Sequence, residues 1–161
     1  MGREVRRVPA DWQHPKNAAG RYVALFDGSY EQAAQEWDEE AAKWARGEFP
    51  DYAGEESKKL SYTEWSGQRP DPADYMPSWP ESQRTHLMMY ETTSEGTPIS
   101  PAFATPEELA RWLVDNGASA FGNSTASYEG WLGVARGGFA PSAVYSSATG
   151  FVSGVEALSE D

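Results

Sequence analysis

Hydrophobic positions recur at helical spacing in three places along the chain. Tyr30, Ala33, Ala34, Trp37, Ala41 and Trp44 fall on one face of a helix that begins at Ser29 and stops at Gly47. Ser29 offers an oxygen to the first turn, and Gln32 stands where a capping box needs it. A second helix opens at Thr105-Pro106-Glu107-Glu108, a cap followed by proline at the first helical position, with Glu108 placed to close a box. Its buried stripe is Leu109, Trp112 and Leu113, and Asn116-Gly117 ends it. Ser127 caps a third helix carrying Tyr128, Trp131, Leu132 and Ala135, which Gly137-Gly138 stops.

Two-residue alternation marks the strands. From Arg84 to Thr92, His86, Met88, Tyr90 and Thr92 share one face, and Thr85, Leu87 and Met89 share the other. Apolar groups on both faces predict a central strand. Thr97-Pro98-Ile99-Ser100-Pro101 reads as an edge strand, where proline is tolerated. Phe139 to Tyr145 and Phe151 to Val155 read as a hairpin, and Arg21 to Phe26 as a short strand before the turn at Asp27-Gly28. The fold class expected is α+β, a small antiparallel sheet packed by about three helices. Residues 1–161 form one expected domain, with an extended arm at 1–20, a long aromatic- and proline-rich irregular segment at 48–82, and a frayed tail at 157–161. Within the irregular segment only Ser61 to Trp65 resembles a helical turn.

Composition narrows the function classes. The 161 residues include no cysteine, which removes disulfides, thiolate catalysis and cysteine-held metals together. No apolar run approaches the ~20 residues of a membrane helix, and no apolar h-region follows the basic start, so a cytoplasmic location is expected. Net charge is −12, unevenly spread. Residues 1–26 carry +3, whereas residues 27–81 hold fourteen acids against five bases. Phosphate binding requires clustered cations, so direct nucleic-acid binding is not expected; a basic protein surface is the better electrostatic match. The residues that would face such a partner are Glu36, Glu39, Glu40, Asp51, Tyr52, Glu55, Glu56, Trp65, Tyr75 and Trp79.

Candidate chemistry is sparse. The two histidines, His14 and His86, lie far apart in sequence, so no metal and no cofactor is expected. The chain has no Gly-x-Ser-x-Gly elbow and no phosphate-binding loop. The polar run Tyr90 to Pro98 gathers hydroxyls and carboxylates at a strand end. It makes Glu91, Glu95 and His86 the catalytic candidates of a small hydrolase or transferase, and Tyr90, Ser94 and Thr97 ligand candidates. Asn123 and Ser124, just before the third helix, are ligand candidates because helix N-termini favour anions.

The segments Trp12 to Asp27, Trp44 to Tyr52, Met88 to Leu113 and Gly117 to Leu132 resemble those of small proteins of tailed phages and prophages, over most of the chain. The resemblance implies a bacterial host cytoplasm and carries no functional residues with it. It carries no function either; small accessory phage proteins often antagonise host defence or nucleic-acid enzymes by binding them, so the expected role is binding that inhibits or modulates a host factor, in one version as a nucleic-acid mimic. A structural or assembly accessory, with homo-oligomer formation, is the remaining alternative.

Overall fold

The computed structural model describes residues 2–92, 96–147 and 150–160. The chain divides into two compact units, one comprising Met1–Leu25 with Ser78–Asp161, the other Phe26–Pro77.

The first unit is an α+β layer structure. Strands β1 (Arg3–Val8), β2 (His86–Glu91), β3 (Thr97–Phe103) and β4 (Phe139–Ala140) form an antiparallel sheet in the order β3-β2-β1-β4. Helices α3 (Pro106–Asp115) and α4 (Tyr128–Gly137) cover one face. Met89 from the sheet, Leu109 and Leu113 from α3, and Trp131 and Val134 from α4 form a fully buried core there. The sheet confirms β2 as a central strand and β3 as an edge strand, with Pro98 and Pro101 in it. The other edge, β4, is only two residues long.

Strand β1 replaces the first part of the expected arm. Its hydrophobic alternation is hidden because two of its buried positions are Arg3 and Arg6. Buried guanidinium groups survive only where partners replace water. Arg3 lies 3.5 Å from Glu91 and donates to the Ser119 carbonyl. Arg6 pairs with Glu4 at 2.8 Å and donates to the Leu25 carbonyl. Residues 21–26, expected as a strand, make only isolated bridges, at Tyr22 and at Phe26. The C-terminal hairpin starts later than expected: β5 (Ala143–Ser146) pairs with β6 (Gly150–Ser153), because Phe139 and Ala140 join the sheet.

Of the tail expected to fray, Ala157 ends α5 (Gly154–Ala157) and Leu158–Glu160 form a 3-10 turn, while Asp161 lies outside the described residues. Gly130 and Gly133 of α4 make room for α5 and this turn. A Cβ at Gly130 would sit 2.8 Å from the Val155 carbonyl oxygen, and one at Gly133 2.8 Å from Leu158 Cβ. Val155 is fully buried and Leu158 packs on the core.

The second unit has no sheet. Helix α1 (Tyr30–Ala45) is capped by Ser29, which accepts from the Gln32 amide. The Gln32 side chain bonds Glu36, so the capping box expected there is half made. The complete box occurs on α2 (Tyr62–Ser66), between Ser61 and Glu64. Segment 48–82 is therefore more ordered than expected: besides α2 it holds 3-10 turns at Ser57–Lys59, Pro72–Asp74 and, in the first unit, Glu81–Gln83. Aromatic rings do the packing. The Trp44 ring stacks on Trp65 at 4.5 Å, Phe49 meets Trp44 edge-on at 4.6 Å, and Trp44 Nε1 donates to the Leu60 carbonyl. Arg69 ties the returning chain to α1, holding both carboxylate oxygens of Asp38 at 2.9 Å and the Tyr30 hydroxyl. Those acceptors push the Arg69 pKa further up, and the hydrogen bonds Arg69 donates hold the Asp38 carboxyl below its ordinary value.

Candidate functional site

Two places in the molecule concentrate chemistry, one in each unit. The first is a cleft of about 780 Å³ beside the edge of the sheet. Its shape begins with a bulge. Between the pairs Met88↔Ala102 and Tyr90↔Pro98, one residue of β2 faces three of β3. Pairing is interrupted there, and the buried Met89 N–H would lose its acceptor. Ser100 Oγ takes that place at 2.9 Å and passes its own proton to the Pro101 carbonyl. Bulges at sheet edges redirect the strand and are over-represented beside functional sites.

The loop of residues 10–23 crosses the sheet face opposite α3, held by a chain of hydrogen bonds. His14 Nε2 is 2.6 Å from the Val23 carbonyl oxygen, which can only accept, so this nitrogen carries the proton. In the neutral ring Nδ1 is then an acceptor, and the Tyr90 hydroxyl at 2.9 Å donates to it. Trp12 Nε1 donates to the same hydroxyl oxygen at 3.1 Å. The sequence Trp12 to Tyr90 to His14 to Val23 is complete, with one tautomer throughout. Burial drives the His14 pKa below its ordinary value and the nearby Arg6 cation adds to this, against the Val23 carbonyl. The Arg6 guanidinium also lies 4.3 Å from the centre of the Tyr90 ring. Gly96 completes the support. Its φ of +55° and its contact with the Leu25 backbone leave no room for a side chain, since a Cβ would lie 2.2 Å from the Leu25 oxygen.

The cleft is lined by the aromatic rings of Trp12, Tyr22 and Trp112, by Met88 and residues 98–102, and by Ala10, Gln13, His14 and Lys16. Lys16 Nζ sits 4.8 Å from the Tyr22 ring centre. Arg3, Arg6, Arg7, Arg84 and Arg136 of this unit each hold a carboxylate; Lys16, Arg21 and Arg111 hold none among the described residues, and of these three Lys16 lines the cleft.

The second place is the surface of residues 26–77. This unit holds thirteen acids against five bases. All five bases are already engaged: Lys43 with Glu40, Arg46 with Glu48, Lys58 with Glu55, Lys59 with Glu56 and Arg69 with Asp38. The unit is left with eight more acids than bases, and Glu36, Glu39 and Asp51 are exposed and form no salt bridge among the described residues. Tyr52 stacks on Trp65 at 6.0 Å as the outer ring of the Trp44–Trp65–Tyr52 column, and is 82% exposed.

Of the residues singled out in the sequence, Glu36, Glu39, Glu40, Asp51, Tyr52, Glu55, Glu56, Trp65 and Tyr75 all belong to this second unit. Trp65 and Tyr75 are half-buried, Tyr75 against Phe26 and Tyr30. Trp79 falls in the first unit, edge-on to Trp12 at 4.9 Å. The catalytic candidates are not gathered. Glu91 is paired with Arg3, whereas His86 bonds Thr85 and lines a shallow hollow beside Glu107 and Arg111. Tyr90 is fully buried on the opposite face from Glu91. Thr97 lies at the start of β3, Asn123 and Ser124 are exposed in the turn before α4, and Ser94 and Glu95 lie outside the described residues. Sequence reading gave no role to Trp12, His14, Lys16 or Ser100. The contacts that unite them span up to 78 residues of chain, and no local pattern carries them.

Among the described residues no three His, Asp or Glu side chains gather as a metal site, and no helix is long and apolar enough to cross a membrane. No protein-family model, no curated protein and no solved structure matches the chain.

Proposed function

We propose that the protein is a protein-binding modulator whose residues 26–77 engage a basic surface on a host factor. The supporting observation is the combination just described: every cation of that unit is neutralised in place, while a stacked, exposed Tyr52 stands among the surplus carboxylates. A rigid aromatic anchor inside a field of one sign is the pattern of an interface with a hot spot and electrostatic steering. The phage-type resemblance supplies the setting, a bacterial host whose defence or nucleic-acid enzymes carry basic surfaces. Inhibition follows if the surface covered is the one that binds nucleic acid. The exposed acids of α1, Glu36 and Glu39 among them, favour the mimic version.

The test is capture from a bacterial host lysate on immobilised protein, with the variants Tyr52→Ala and Glu36→Lys/Glu39→Lys alongside. The reading expects one basic partner retained at low salt, released by a few hundred millimolar salt, and lost or much weakened with both variants. Equal retention by all three proteins, or release that ignores salt, overturns it.

A further inference from the structure

We infer that the cleft beside the β3 bulge is a binding site for a small aromatic anion, a flat apolar body carrying one carboxylate or phosphate. Four observations converge on it. Its volume of about 780 Å³ lies in the range of ligand pockets. Its lining includes the rings of Trp12, Tyr22 and Trp112, aromatic surface that a flat apolar body can pack on, beside the strand opened by the bulge. Two of the rings are pre-set: Trp12 is held through its Nε1 by the Tyr90 hydroxyl, and Tyr22 lies edge-on to His14 at 5.6 Å. Ordering cost on binding is correspondingly small.

The fourth observation sets the charge. The protein carries −12 overall, and an anion approaches it against that field. Yet the cleft lining holds Lys16, without a carboxylate partner among the described residues. Two of the polar side chains lining the cleft are already satisfied. Ser100 serves Met89 and Pro101, and both His14 nitrogens are engaged. A ligand therefore finds one cation in the lining, the Lys16 ammonium, next to aromatic surface.

Three probes on one ring system separate the parts: naphthalene-2-carboxylate, 2-naphthyl phosphate and uncharged 2-naphthalenemethanol. The full-length protein is titrated with each, following its indole and backbone amide signals by NMR. The expected result is saturable shifts at the Trp12 and Trp112 indole N–H and at amides 99–102, at sub-millimolar concentration for at least one anion. The alcohol should bind about tenfold more weakly. Lys16→Gln, a change on the surface, should remove that tenfold preference and leave alcohol binding unaltered. The carboxylate and phosphate arms decide which anion fits. Absence of shifts with all three probes at several millimolar overturns the site. An anion preference that survives Lys16→Gln overturns the role of Lys16.

Discussion

The two units solve the same problem, burying enough surface to hold a fold, by opposite means. In the sheet-containing unit, aliphatic and aromatic side chains are sealed against both faces of the sheet, under the helices on one and under the 10–23 loop at Tyr90 on the other: Val8, Met89, Tyr90, Leu109, Leu113, Trp131, Val134 and Val155 are all fully enclosed. In residues 26–77 only Ala34, Trp44 and Ala53 are buried, and much of the remaining packing consists of partly exposed rings in two clusters, one around Trp44 and one of Phe26, Tyr30 and Tyr75. The charges divide likewise. The first unit buries Arg3 and Arg6 and neutralises them inside; the second leaves its ion pairs on the surface, where water and salt screen them. A unit of 52 residues so constructed is marginal by size alone. Low core content and high surface charge belong together when the working surface is the outside, and an enclosed core with a preformed cleft suits a small ligand.

The comparison is open to three experiments beyond the binding tests. The largest effect is expected from Trp44→Ala. Truncating a buried tryptophan costs about 3–5 kcal/mol, and here it removes the ring on which Phe49, Tyr62 and Trp65 all lean. Hydrogen exchange should show amides of α1 and α2 losing protection while those of β1 and β2 keep theirs. Simultaneous loss in both units would mean that the two do not differ in stability. Next is Gly96→Ala in the first unit. The positive φ and the Leu25 oxygen at 2.2 Å leave the added methyl nowhere to go. Strain and overpacking together are expected to cost about 2–4 kcal/mol by denaturant unfolding. A change below about 0.5 kcal/mol, the scale of an ordinary surface substitution, contradicts the close approach.

The smallest effect is a pH dependence. His14 titrates in the folded protein below its ordinary value, so the unfolded chain takes up its proton first as pH falls. Stability should be intact above the usual histidine range, decline through that range, and level off below the folded value. Replacing His14 with Gln should flatten that limb of the stability profile. An unchanged limb would place the titration elsewhere.

Much of the secondary structure was legible because it rests on local chemistry. The caps Ser29, Thr105 and Ser127 and the glycine stops at 47 and 138 each act within four residues, and all three expected helices begin where their caps stand. Strand β2 was legible from alternation. Strand β1 was not, since Arg3 and Arg6 read as surface until Glu91, Glu4 and the Leu25 carbonyl are brought to them. The acidic, aromatic character of residues 26–77 follows from composition, although Trp79 was grouped with the wrong unit. The cleft was invisible for a different reason. A lone histidine between prolines and a serine in a strand acquire meaning only through partners supplied by the tertiary fold.

The bulged edge has a bearing on how this protein behaves in crowded solution. Exposed strand edges are templates on which further copies of a chain can add, one after another. Here β3 presents two prolines, which lack the donor such growth needs, and a kink between them; β4 at the far side offers two residues. Polymerisation by strand addition finds no starting row at either end. Whatever company the molecule keeps, another copy of itself zipped to its sheet is disfavoured by construction.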